Sequence, residues 1–151
     1  MKILFATDGA KQSDAAIDML RNFALTEGDE IKVVSVVDTA VPLAIDIYGG
    51  YLPDTAEIEK SARENASKLL ETTVDRIKAH FGEKKLTVTS EVLFGSPESR
   101  IVETAEATHP DLIVLGSHGY SRWERLLLGS VSDSVVHHAP CSVLIVRTPA
   151  E

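Results

Sequence analysis

A single cysteine, Cys141, in 151 residues has no partner within the chain, which excludes an internal disulfide framework and any multi-cysteine metal site. Positive charge is also scarce. The 15 Lys and Arg face 23 Asp and Glu, and the formal net charge of −8 disfavours non-specific binding to nucleic acid or to an anionic membrane. No apolar run approaches the ~20 residues of a membrane-spanning helix, and Met1 to Thr7 is too short a stretch before Asp8 for a signal peptide. A cytoplasmic chain with no membrane insertion and no nucleic-acid partner is expected.

Several catalytic and nucleotide motifs are missing as well. No G-x-x-x-x-G-K-[ST] is present, so there is no P-loop lysine to reach β- and γ-phosphates, and no G-x-G-x-x-G follows the first apolar run. There is no G-x-S-x-G elbow, and Ser117 and His118, being adjacent, cannot face each other as nucleophile and base. His137-His138 lacks metal-ligand spacing, and a helix end that favours positive charge accounts for the pair. The candidate site therefore contains no catalytic residue and leaves a metal unassigned.

What the chain does have is alternation. Ile3–Thr7, Ile31–Val37, Leu112–Leu115 and Val143–Val146 are short apolar runs of the kind covered on both faces in a parallel sheet. Leu86–Leu93 alternates apolar with polar residues, which argues for an edge strand. Helical patterns lie between. Ser13 is placed to cap the first, with Ala16, Ile17, Leu20 and Ala24 on one face. Ile58, Ala62, Ala66, Leu69, Thr73 and Ile77 step along the second. Ser96-Pro97 opens the third, which stops before Pro110, and Gly129-Ser130 opens the fourth, to His138. This predicts one domain over residues 1–151: an α/β, Rossmann-like, doubly wound sheet of five parallel strands in the order 3-2-1-4-5, with helices on both faces. Cys141, at the head of the last strand, is expected to be a buried structural thiol rather than a redox sensor.

In such a sheet, ligands bind past the carboxyl ends of the strands where the order reverses, here between strands 1 and 4. Strand 1 ends in Ala6-Thr7-Asp8-Gly9 and strand 4 in Leu115-Gly116-Ser117-His118-Gly119, followed nine residues later by Gly129 and Ser130. Glycine allows close backbone approach to an anion, and a helix start offers unpaired N–H groups. Gly119, Gly129 and the amides of Ser130, Val131 and Ser132 are thus candidates to hold phosphates. Asp8 suits a ribose hydroxyl or an exocyclic amine, or else a turn at the first helix. Val36 suits a purine face or the core. His118 suits a phosphate or ribose contact, or a structural bond to the backbone. Arg122 and Arg125 are the nearby cations, with Trp123 and Leu126–Leu128 read as packing. The long connection Thr39–Pro53 reads as a ligand lid or a protein contact surface.

These residues resemble the universal stress protein family in its ATP-binding branch. Gly116-x2-Gly119-x9-Gly129-Ser130 is similar to that branch's G-x2-G-x9-G-[ST] pattern at every fixed position, Ile3–Gly9 to its opening strand and aspartate turn, and Ser35–Asp38 to its second strand end. Ala10, where the family often has serine, and Ser142, where it often has proline, depart from it. The resemblance implies that Thr7, Asp8 and Val36 hold adenine and ribose, that Gly116, His118 and Gly119 hold ribose and inner phosphates, and that Gly129, Ser130, Val131 and Ser132 hold the outer ones, with Ala6 and Leu115 also among the nucleotide-binding residues. It also implies Mg2+ or Mn2+ beside ATP, and a homodimer paired through Val143–Val146. That strand is the far edge of the sheet in the order above, apolar and bare, so it needs a cover on physical grounds too. The expected function is ATP binding as a regulatory or sensed ligand in stress adaptation. The alternatives are a homodimeric interaction module with no functional nucleotide, or a slow ATP hydrolase assisted by His118 or Arg125.

Overall fold

Strand and helix alternate along the whole described chain. The computed structural model describes residues 1–39, 55–82, 84–117 and 128–147. In chain order the elements are β1 (Lys2–Ala6), α1 (Lys11–Leu20), β2 (Glu30–Val37), α2 (Thr55–Phe81), β3 (Thr87–Phe94), α3 (Pro97–Thr108), β4 (Leu112–Gly116), α4 (Ser130–His138) and β5 (Ser142–Val146). All four strand pairings are parallel, and the order is β3-β2-β1-β4-β5, as the sequence predicts.

The register sorts side chains by parity. Ile3 and Phe5 of β1, Ile31 and Val33 of β2, and Leu112 and Val114 of β4 pack under α1 and α2, against Ala16, Ile17, Leu20, Leu70, Val74 and Ile77. Leu4 and Ala6, Val34, Ile113 and Leu115 face the other way, toward Ile101 and Ala105 of α3 and Val135 of α4. β1 is buried on both faces, which is why it reads as a continuous apolar run. The alternating β3 is an edge strand, with Thr87, Thr89, Ser90 and Glu91 exposed.

Four local expectations are corrected. α1 begins before Ser13: its N-cap position is Ala10, so Ser13 lies inside the first turn with its hydroxyl turned to another use. Ala24 falls past the helix end and is exposed, and Leu25 is buried in its place. On α2, Ile58 is 51% exposed and the buried residues are Ala66, Leu70, Thr73, Val74, Ile77 and Phe81. At 1.5 Å per residue, the 27 residues of α2 span about 40 Å, whereas the eight of β2 span about 26 Å, so its first turns overhang the sheet. Cys141 is half-buried, because it sits just ahead of a strand with no described neighbour on its outer side. Partial burial still pushes its thiol pKa up, which disfavours the thiolate.

α1 and α2 are tied by an ion pair and by one histidine. Arg76 pairs with Asp14, and the Arg21 Nε–H donates to the ring of His80, which stands edge-on to Phe81. Burial first, and the Arg21 charge second, pull the His80 pKa down, while Asp18 opposes. A lowered folded pKa means that the unfolded chain binds the proton more readily. The His80 contribution is therefore complete above the ordinary value near 6.5 and is lost as pH falls through the lowered one. Urea melts at pH 7.5 and 5.5 are expected to show lower stability at the acid end, and a smaller difference in His80→Gln. Equal slopes in the two proteins would remove His80 from this account.

Candidate functional site

The carboxyl ends of β1 and β4 part company at the centre of the sheet. Their pairing stops at Ala6↔Leu115. On one side the Thr7 N–H donates to the Val34 carbonyl of β2 (3.0 Å), and on the other the Ser117 N–H donates to the Val146 carbonyl of β5 (2.9 Å). A cleft of about 270 Å3 opens between them, near the lower end of ligand pockets, which run from about 300 to 1,000 Å3. β1 and its turn supply Ala6, Thr7 and Asp8. β2 supplies Val34 and Val36, β4 supplies Leu115 and Gly116, and α4 supplies Val131 and Ser132.

The turn after β1 is tightly specified. Gly9 has φ +79°, a left-handed conformation that disfavours a side chain, and a Cβ there would meet Leu69 Cδ1 of α2 at 3.1 Å. Its N–H donates to Thr7 Oγ1 (3.2 Å). Asp8 Oδ1 accepts from the Ala10 N–H (3.0 Å) and from the Ser13 hydroxyl (3.1 Å). Asp8 thus forms the turn and lines the cleft at once. Ala10, with no side chain able to cap, has its amide held by Asp8 instead.

On the opposite wall α4 starts at Gly129, with φ −63° and ψ 156°, a conformation open to any residue. The first helical bond runs from the Asp133 N–H to the Gly129 carbonyl (2.8 Å). The amides of Ser130, Val131 and Ser132 precede it and have no acceptor among the described residues. The Ser132 hydroxyl, buried, lies 3.5 Å from the Gly116 carbonyl and ties the helix start to the end of β4.

Eight of the residues singled out from the sequence line this cleft: Ala6, Thr7, Asp8, Val36, Leu115, Gly116, Val131 and Ser132. Gly129 and Ser130 stand beside it at the helix start and are not among its lining residues. His118 and Gly119 lie outside the described residues, as do Arg122, Trp123 and Arg125 and, beyond Thr39, the connection to Pro53. Sequence reasoning missed Val34, Ser13, Pro97 and Ile101. Val34 was within reach, since it sits two residues before Val36 on one face of β2. Pro97 and Ile101 carry no chemical signal, and only the packing of α3 brings them here.

The characteristic sequence pattern of the Universal stress protein family matches residues 1–147. The chain belongs to the universal stress protein family. A relative from Staphylococcus aureus (strain USA300), named for the same family, is 32% identical over 147 residues, which cover 97% of this chain and 83% of its own. Among solved structures, a universal stress protein in complex with cAMP shares the fold at a TM-score of 0.67 and 23% identity, over 99% of this chain and 98% of that one. A family protein from Arabidopsis thaliana with AMP bound does so at a TM-score of 0.70 and 20% identity, over 99% and 93%.

Proposed function

We propose that this universal stress protein binds an adenine nucleotide, with ATP the expected ligand, as a sensed or regulatory ligand in the cytoplasm. One observation carries the reading. The cleft at the switch point of the sheet joins an apolar slot (Val34, Val36, Leu115, Val131), a carboxylate (Asp8) suited to a ribose hydroxyl or an amine, and three amides at the start of α4 with no acceptor among the described residues. Base, sugar and phosphate each need one of these three chemistries. The family proteins that hold cAMP and AMP share this fold and lend the reading support.

A divalent ion would accompany the phosphates. Among the described residues no three of His, Cys, Asp and Glu gather into a cation site, and Asp8 is the one carboxylate lining the cleft. The described residues supply no metal cage there, and phosphate oxygens and water would complete the coordination of Mg2+ or Mn2+. The open edge of β5, where Val143, Leu144 and Ile145 are half-buried, favours a second copy as its cover in the same reading.

The test begins with freshly purified protein, denatured so that the supernatant can be analysed for adenine nucleotides, and light scattering on the same sample, where twice the chain mass is expected. Saturating ATP with Mg2+, near a hundred times Kd, should add about 2.7 kcal/mol of stability. In a domain of this size that raises Tm by roughly 5–10 °C. Absence of released nucleotide, with no shift from ATP, ADP, AMP or cAMP, would overturn the assignment and favour an interaction module.

A further inference from the structure

We propose that α2 clamps the cleft from outside, with Leu69 and Arg63 as positioning residues that set the spacing between its β1 side and its α3 side; this rests on the adenine-nucleotide reading above. Neither residue is among those lining the cleft. Leu69, half-buried, packs on the turn after β1, where a Cβ at Gly9 would stand 3.1 Å from its Cδ1 and 3.3 Å from its Cδ2. Arg63, exposed, carries its guanidinium 4.4 Å from the centre of the Phe94 ring at the end of β3. The turn under Leu69 brings Thr7 and Asp8 to one side of the cleft. Phe94 leads through Gly95 and Ser96 to Pro97 and, one helical turn on, to Ile101, which line another.

Helix geometry explains how one element reaches both. At about 100° per residue, Arg63 and Leu69 stand about 120° apart around α2, and the buried Ala66, Leu70, Thr73 and Ile77 fall in the sector between them. That stripe faces the sheet, so the two flanks of α2 overlook β1 on one side of β2 and β3 on the other. The ladder sets the spacing of these strands as far as Thr7, bonded to Val34, and Phe94, paired with Val37. Past them the chain turns. The Gly9 N–H donates to Thr7 Oγ1 and the Gly95 N–H to the Val37 carbonyl, which ties each turn to a nearby strand end. Such bonds shape each turn and do not measure the distance from one turn to the other. A helix that touches both does, and a binding site is only as well placed as the packing behind it.

Titration calorimetry with AMP and with ATP and Mg2+ tests this on wild type, Leu69→Ala, Arg63→Ala and the double variant. Each single change is expected to weaken binding about threefold, and the double change by about threefold as well, because releasing either contact already frees the spacing. Two independent supports, about 9 Å apart along the helix, would instead multiply to about ninefold. Leu69→Met, which refills the contact, and Arg63→Lys, which keeps a cation over the ring, should bind as wild type does. Val74→Ala, at a buried position farther along α2, should lower Tm and leave affinity unchanged. Should Leu69→Ala not fold, Leu69→Val, which withdraws a single methylene, takes its place. A ninefold loss in the double variant, unchanged affinity in the single ones, or an equal loss in Val74→Ala would overturn the proposal. A wild type that binds neither probe overturns the nucleotide reading itself.

Discussion

Gly129→Asp is expected to weaken nucleotide binding about a hundredfold while leaving the protein as stable as before, or slightly more so. The position takes φ −63° and ψ 156°, which aspartate adopts without strain. It is the N-cap of α4, where aspartate is among the best residues and glycine only a few tenths of a kcal/mol worse. The new carboxylate would accept from the amides of Val131 or Ser132, the groups proposed to receive a phosphate, and would repel the anion as well. Losing two charge-assisted hydrogen bonds costs the ligand roughly 3 kcal/mol, about a hundredfold in Kd. Tm of the free protein should stay level or rise by about 1 °C, and the ATP-induced shift at the same nucleotide concentration should fall to about 1 °C. Binding within a few-fold of wild type would show that the start of α4 does not receive the ligand.

That prediction depends on geometry that was partly legible in the residues. Four apolar runs and one alternating strand were enough for the strand order, because alternation in β3 marks an edge and the order then follows from short crossovers. The strand limits shifted by a residue because ladders continue into charged positions, Lys2 and Glu30, which hydrophobicity does not flag. The start of α1 was misplaced for a related reason. Serine is a strong capping signal, but the cap position here is an alanine whose amide is served by Asp8, and no local pattern announces that. On α2, a stripe at helical spacing says which face is apolar and not how far the sheet extends beneath it, so Ile58 was read as buried.

The site divides along the same line. Residues whose chemistry or backbone freedom is unusual for their place, such as Asp8 after an apolar strand or a glycine opening a helix, could be found one at a time. Ser13 was noticed and read as the cap of α1, since its bond to Asp8 spans a turn whose left-handed Gly9 has no room for a Cβ beside Leu69, which lies on a helix more than fifty residues away. Pro97 and Ile101 reach the cleft only because α3 crosses the β2 side of the sheet, an outcome of packing that their own neighbours in sequence do not encode.

The two faces of the sheet permit a separation of stability from binding. Phe5 is fully buried in the middle of β1, paired in register with Val33 and Val114, and its ring lies under α1 and α2. Phe5→Ala should cost about 3–5 kcal/mol through lost transfer energy and the cavity left behind. That is a large share of the 5–15 kcal/mol typical of a whole domain, and it should lower Tm by about 10 °C or more. The cleft lies on the other face, built on Ala6, Val34 and Leu115 beneath α3 and α4. A saturating nucleotide should therefore raise the Tm of Phe5→Ala by nearly as much as it raises that of wild type. Leu115→Ala provides the contrast, because Leu115 is 4% exposed and also lines the cleft. It should lose about 2–5 kcal/mol and lose ligand affinity too, since the missing side chain widens the apolar slot. Scanning calorimetry of both variants with and without nucleotide checks the pair. If Phe5→Ala lost the ligand shift as completely as Leu115→Ala, the cleft would not be the independent structural unit that its placement on one face of the sheet requires.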